Sequence, residues 1–192
     1  MKRLFIGIPV ESEMAGIQVQ AWKTEPELAG TVIKWTKPEN WHITLIFLGN
    51  TPDSMIDQLK SLIKESFAGL SSFRTGLLGI GLFPNAHNPK VLWLGVEDIQ
   101  PLMTGYDRLT EMLLQNGISS DNKPLRPHLT LARIRNSVQG NPITSMIEKY
   151  QNYCFGTVEI KSVVLYESIS TNDGPVYKPL FAKKLIEKRA GE

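Results

Sequence analysis

Trp41-His42-Ile43-Thr44-Leu45-Ile46-Phe47-Leu48 is the stretch on which the fold turns. Apart from one imidazole and one hydroxyl it is apolar and rich in β-branched and aromatic residues, and it reads as a buried strand. Side chains alternate across a strand, so His42, Thr44 and Ile46 share one face while Trp41, Ile43, Leu45 and Phe47 share the other. The second face is wholly apolar and is expected to lie on a core. The first presents a histidine and a threonine about 7 Å apart along the chain.

The motif returns. His128-Leu129-Thr130-Leu131 places His128, Thr130 and Ala132 on one face and Leu129 and Leu131 on the other. Other landmarks recur with it in the same order. Leu4-Phe5-Ile6-Gly7-Ile8 is matched by Leu92-Trp93-Leu94-Gly95-Val96, Thr51-Pro52 by Asn141-Pro142, and Phe73-Arg74-Thr75 by Phe155-Gly156-Thr157. Such a repeat predicts two similar lobes, roughly residues 1–85 and 90–190, related by a pseudo-twofold. They form one domain over residues 1–192, and the pattern allows strands to be exchanged between them. Asn85 to Pro89 is a turn-rich connection rather than a domain boundary.

The remaining elements follow from periodicity. Leu4–Ile8, Leu77–Phe83, Val91–Val96, residues 128–134, Val158–Glu167 and Tyr177–Lys183 read as strands. Ser12 is expected to cap a helix with Met14, Ile17, Ala21 and Trp22 on its apolar side. Thr51 as cap and Pro52 as first helical residue are expected to open a second helix, with Ile56, Leu59, Ile63 and Phe67 facing inward. A third carries Leu102, Tyr106, Leu109 and Leu113 and ends at Gly117. A fourth starts at Asn141-Pro142 and carries Met146, Ile147 and Tyr150. The class is α+β with much antiparallel pairing.

Composition narrows the function classes. The 192 residues are 42% hydrophobic and 21% charged, an ordinary globular balance. The net charge of +2 argues against coating nucleic acid or anionic membrane through bulk charge. No apolar run reaches the roughly 18 residues of a membrane span. The apolar start, Leu4 to Val10, is interrupted by Gly7 and Pro9 and lacks a small-residue cleavage site, so it reads as a strand rather than a leader. The single Cys154 excludes an internal disulfide framework and suits a cytoplasmic protein.

A lone His-x-Thr is most often a satisfied polar pair on a half-buried strand. Its duplication at matching places in a repeat points elsewhere, because core patterning does not require a polar pair opposite both apolar faces. Two histidines across a groove can act as general base and general acid, since imidazole titrates near neutral pH. In-line displacement at phosphorus needs such a pair, and nearby hydroxyls and cations can hold the non-bridging oxygens. Lys123, Arg126, Arg133 and Arg135 surround the second motif, although each taken singly reads as a solvated loop residue. A zinc site fits less well, since neither motif carries a second ligand at suitable spacing and His87 lies in a turn. Acyl-serine, P-loop and dinucleotide fingerprints do not occur.

With these motifs in their flanks, the chain resembles the 2H phosphoesterases, named for two His-x-Thr motifs. Within them it is similar to the bacterial and archaeal RNA 2′,3′-cyclic phosphodiesterases, historically called 2′-5′ RNA ligases. The likeness runs from Arg3-Leu4-Phe5-Ile6 through Trp35 to Leu45, Val91 to Val96 and Pro124 to Arg133, to Val164-Leu165-Tyr166-Glu167-Ser168 and Gly174-Pro175-Val176-Tyr177. The resemblance implies two lobes, each an antiparallel sheet with helices on its outer face, around a central groove. It implies opening of an RNA terminal 2′,3′-cyclic phosphate to a 2′-phosphomonoester without metal or cofactor, with 2′-5′ ligation as the reverse chemistry. It assigns His42 as proton donor and His128 as proton acceptor, a division the symmetric halves do not make by themselves. Thr44 and Thr130 would hold the phosphate. Phe47 and Arg133, each five residues after its histidine, would contact base and phosphate. Regular strand parity instead turns both away from the histidines, and a bulge or a strong twist would be needed to bring them in. Leu125 stands where an aromatic residue is common in the family. The implied partners are RNA 3′ ends or cyclic nucleotides, bound by a monomer with no obligate protein partner and no membrane. The competing reading is a non-catalytic module that binds a nucleotide or RNA end in the same groove.

Overall fold

The computed structural model describes residues 1–28, 31–121, 124–136, 142–172 and 174–187. Nine strands and four α-helices lie along them. The strands are β1 (Lys2–Pro9), β2 (Val32–Trp35), β3 (His42–Thr51), β4 (Phe73–Phe83), β5 (Val91–Val96), β6 (His128–Asn136), β7 (Cys154–Ile160), β8 (Ser162–Thr171) and β9 (Gly174–Lys184). The helices are α1 (Glu13–Lys23), α2 (Ile56–Ser66), α3 (Gln100–Gln115) and α4 (Pro142–Tyr150).

The pairings between these strands are antiparallel, in the order β7-β4-β5-β6-β3-β1-β8-β9, with β2 added to β6. Chain order and sheet order differ. β8 and β9, from the end of the chain, continue the sheet begun by β1, while β4, from its middle, lies between β5 and β7. Helix α2 packs against α3 and touches β9, and α1 and α4 pack near β7 and β4. The result is α+β, with two antiparallel sheet halves that meet at β3 and β6 and are covered by helices.

That meeting is narrow. β3 and β6 share one register pair, Ile43 with Leu129. Beyond it β3 parts from β6, and β2 takes over the β6 edge, pairing Trp35 with Ala132 and Lys34 with Arg133. Strands that diverge after a single pair leave a groove between them. Ile43 and Leu129 are fully buried beneath it.

Several expectations need correction. Thr51 does not cap a helix; it closes the β1–β3 ladder opposite Lys2 and is buried. After Pro52 comes a single 3₁₀ turn, Asp53–Met55, and only then α2. In α1 the cap holds, with Ser12 Oγ accepting from the Ala15 amide at 3.2 Å. Its apolar side is shifted, however: Ala15, Val19 and Trp22 are buried while Met14 and Ile17 are 50% and 65% exposed. The strand expected over Val158–Glu167 is two strands broken at Lys161, because β7 pairs with β4 at one edge and β8 with β1 near the other. β2 escapes the sequence reading altogether, being four residues on an edge. Gly117 follows α3 with φ +65°, the left-handed value that ends a helix. The start of the fourth helix at Asn141 lies outside the described residues.

Candidate active site

The single β3–β6 pair arranges the motif residues. Ile43 and Leu129 point into the core, so their neighbours point into the groove. The residues that flank Ile43 and Leu129 turn to the other side, so His42 and Thr44 on β3 and His128 and Thr130 on β6 face the groove together. All four side chains line one cavity of about 640 Å³.

Each imidazole is tied in the same way. His42 Nδ1 lies 2.7 Å from the Asn40 carbonyl oxygen, and His128 Nδ1 lies 2.6 Å from that of Arg126. A carbonyl only accepts, so Nδ1 carries the proton in both rings and donates it there. That leaves both Nε2 atoms as the groups free to exchange a proton with a ligand.

Aromatic side chains surround each ring. His42 meets Phe5 at 4.8 Å between ring centroids, Tyr177 near perpendicular at 4.8 Å and Tyr166 at 6.2 Å. His128 meets Phe83 near perpendicular at 5.0 Å and Trp93 at 6.4 Å. Sequence reasoning missed these five as neighbours of the histidines. The repeat offered a signal for two of them, since Phe5 and Trp93 occupy the same place in Leu4–Ile8 and Leu92–Val96.

Burial of the His42 ring pushes its pKa below the ordinary 6.5. The hydrogen bond to Asn40 works the other way, and the charges of His128 and Arg133 add to the lowering. An anion in the groove would oppose these last two effects.

Phe47 and Arg133 do not follow strand parity. Ile6 pairs with Ile46 and Gly7 with Thr44, so Leu45 has no partner on β1. Leu92 pairs with Ala132 and Trp93 with Thr130, so Leu131 has no partner on β5. One bulged residue resets the alternation. Leu45 and Ile46 are consecutively buried, as are Leu131 and Ala132. Ile46 and Ala132, placed by parity with the histidines, thus belong to the core. Phe47, 49% exposed, and Arg133 line the same cavity as His42 and His128. Asp121 fixes the first bulged segment, its carboxylate accepting from the Phe47 amide at 3.1 Å and its own amide donating to the Phe47 carbonyl at 3.0 Å.

A second cavity of about 720 Å³ continues from the first past Phe47, Phe83 and His128 to Lys90, Leu125 and Arg126. Arg126 and Leu125 thus approach the site; Arg135 is exposed on β6, and Lys123 lies outside the described residues. His87 sits in an exposed turn. Among the described residues no group of three His, Cys, Asp or Glu side chains could hold a metal ion. No described helix is long and apolar enough to cross a membrane.

Two helix-covered halves of an antiparallel sheet, with a His-x-Thr pair from each in the groove between them, define a 2H phosphoesterase. The model of the AKAP7 2′5′ RNA ligase-like domain matches residues 5–185, and the chain belongs to that family. It is similar to the RNA 2′,3′-cyclic phosphodiesterase of Archaeoglobus fulgidus, 32% identical over 180 residues that cover 93% of this chain and 97% of the relative. The protein of the same name from Bacillus subtilis strain 168 is 31% identical over 183 residues, covering 94% and 95%. Among solved structures, TT0787 of Thermus thermophilus matches with a TM-score of 0.76 at 27% identity, over 97% of this chain and all of that one.

Proposed function

We propose that the protein hydrolyses the 2′,3′-cyclic phosphate at an RNA 3′ end to a 2′-phosphomonoester, without a metal ion. The observation that carries this reading is the quartet of His42, Thr44, His128 and Thr130 lining one cavity, with both Nδ1 atoms held by carbonyls so that both Nε2 atoms are left for a ligand. The names of the curated relatives support the same substrate.

His128 Nε2 takes a proton from a water molecule as that water attacks phosphorus. The P–O3′ bond breaks on the opposite side, and His42 Nε2 gives its proton to O3′. The 2′-phosphate remains on the ribose. Thr44 and Thr130 hydroxyls donate to the non-bridging oxygens, and the Arg133 guanidinium balances the charge that develops on them. Phe47 offers a face for the base. His42 serves as acid despite its lowered pKa because the bound phosphate anion restores the proton that burial disfavours.

With a 5′-hydroxyl in place of water the same residues catalyse ligation: His128 takes the hydroxyl proton as its oxygen attacks phosphorus, O3′ leaves with the proton from His42, and a 2′-5′ linkage results. One chain supplies every group named, which fits a monomer, and the lone Cys154 fits a reducing cytoplasm.

The test is a short RNA ending in a 2′,3′-cyclic phosphate, incubated in EDTA with wild type and with His42→Ala. A 2′-phosphate from wild type and a loss of about 10²–10⁴-fold in the variant are expected. Tight binding of the RNA with no turnover would replace this reading with a binding module.

A further inference from the structure

We infer a second anion subsite in the groove, formed by Lys34 with Lys37 and Arg3, that takes the phosphate one nucleotide upstream of the reacting one. The inference rests on the reading above and deepens it: the preferred substrate is an RNA strand rather than a mononucleoside cyclic phosphate.

Charge distribution is the first observation. The chain as a whole carries +2. The cavity that holds both histidines is lined by four cations, Arg3, Lys34, Lys37 and Arg133, against one carboxylate, Glu39, an excess of three. A terminal cyclic phosphate is a monoanion, and Arg133 beside His42 already answers it. Three more cations in the same cavity exceed what that ligand needs.

The second observation is the placement of Lys34. It pairs directly with Arg133 across β2 and β6. Like charges opposite each other on neighbouring strands repel, and a second anion held at Lys34, next to the one held at Arg133, offsets that cost. Among the described residues neither Lys34 nor Lys37 makes an ion pair. Lys34 also reaches across the cavity. A Cβ built on Gly174 would stand 3.0 Å from Lys34 Nζ, so the ammonium lies over the tip of the β8–β9 hairpin, where glycine leaves it room. That hairpin is anchored to the first motif's side of the groove by the Asn40 side-chain amide, which donates to the Pro175 carbonyl at 3.2 Å. Lys34 thus lies across β2 and β6 from Arg133, with its ammonium against the β8–β9 hairpin in the cavity that holds both histidines. An RNA end places its next phosphate one ribose away from the cyclic one.

The experiment compares a trinucleotide ending in a 2′,3′-cyclic phosphate with the nucleoside 2′,3′-cyclic phosphate of the same base, across a salt series. Wild type, Lys34→Ala and Lys34→Arg are used, with a thermal melt to confirm folding. Wild type should favour the trinucleotide, and its log kcat/KM should fall with log salt more steeply for that substrate. Lys34→Ala should lower kcat/KM on the trinucleotide by about tenfold and flatten its salt slope by roughly 0.7, one phosphate contact on a single strand. It should leave the mononucleoside substrate unchanged, and Lys34→Arg should retain the preference. Equal losses on both substrates, or no loss on either, would overturn the subsite. Equilibrium binding of the matching 2′-phosphate products is measured in parallel. If wild type turned over neither substrate, the proposed hydrolysis would fail, while tighter, Lys34-dependent binding of the longer product would still support the subsite and equal binding would refute it.

Discussion

Leu45 and Leu131 are bulged at equivalent places, each one residue past the threonine of its motif and each without a partner on the neighbouring strand. The two bulges turn Phe47 and Arg133 out of the core and into the groove. Two different side chains thereby reach the same site from symmetric positions, one suited to a base and the other to a phosphate.

Arg133→Ala should lower kcat/KM by about 10²-fold, the scale for removing one donor to a developing oxyanion. Phe47→Ala should act chiefly on KM, at about 1–3 kcal/mol for a lost base stack. Steady-state kinetics on a cyclic-phosphate RNA separates the two.

The His42 ring should titrate below 6.5 in the free protein, and inorganic phosphate should raise its midpoint. Arg133→Ala should raise it too, since that charge lowers it. The sign carries into stability. The unfolded chain binds a proton at this ring more readily than the folded one, so its contribution is present above pH 6.5 and is lost as pH falls through the folded pKa. Histidine NMR titration checks the midpoints.

Tyr177 and Phe83 pack near perpendicular to the imidazoles, with ring centroids at 4.8 and 5.0 Å. Tyr177→Leu and Phe83→Leu should each lower kcat about tenfold with little change in KM, since a small misplacement of a proton-transfer group costs rate rather than binding. Tyr177→Phe should keep wild-type kcat. A parallel rise in KM with no loss of kcat would mean that these rings serve the ligand and not the histidines.

Gly95 pairs with His128, and a methyl group there would run into the Leu78 carbonyl oxygen. Gly95→Ala should destabilise by about 1–3 kcal/mol through overpacking. A urea titration should show a lower midpoint with the slope unchanged.

The strands bearing His42 and His128, and the faces of Ile43, Leu129 and the four polar side chains, were legible because local alternation decides them. The fate of Phe47 and Arg133 was not, because a bulge belongs to the register between two strands and leaves no mark in either alone. Thr51 misled for a related reason: its dipeptide with Pro52 looks like a helix start, yet pairing with Lys2 draws it into the sheet. The aromatic neighbours of the histidines come from β1, β9, β8, β4 and β5, contacts that only the tertiary fold creates.

The central claim is that His42 delivers the proton to O3′. The direct measurement uses an RNA end whose cyclic phosphate has sulfur in place of O3′, because a thiolate leaves without needing a proton. On this substrate His42→Ala should recover toward the wild-type rate while His128→Ala remains inactive. Recovery of His128→Ala in place of His42→Ala would reverse the two roles, and recovery of neither would contradict proton donation to the leaving oxygen.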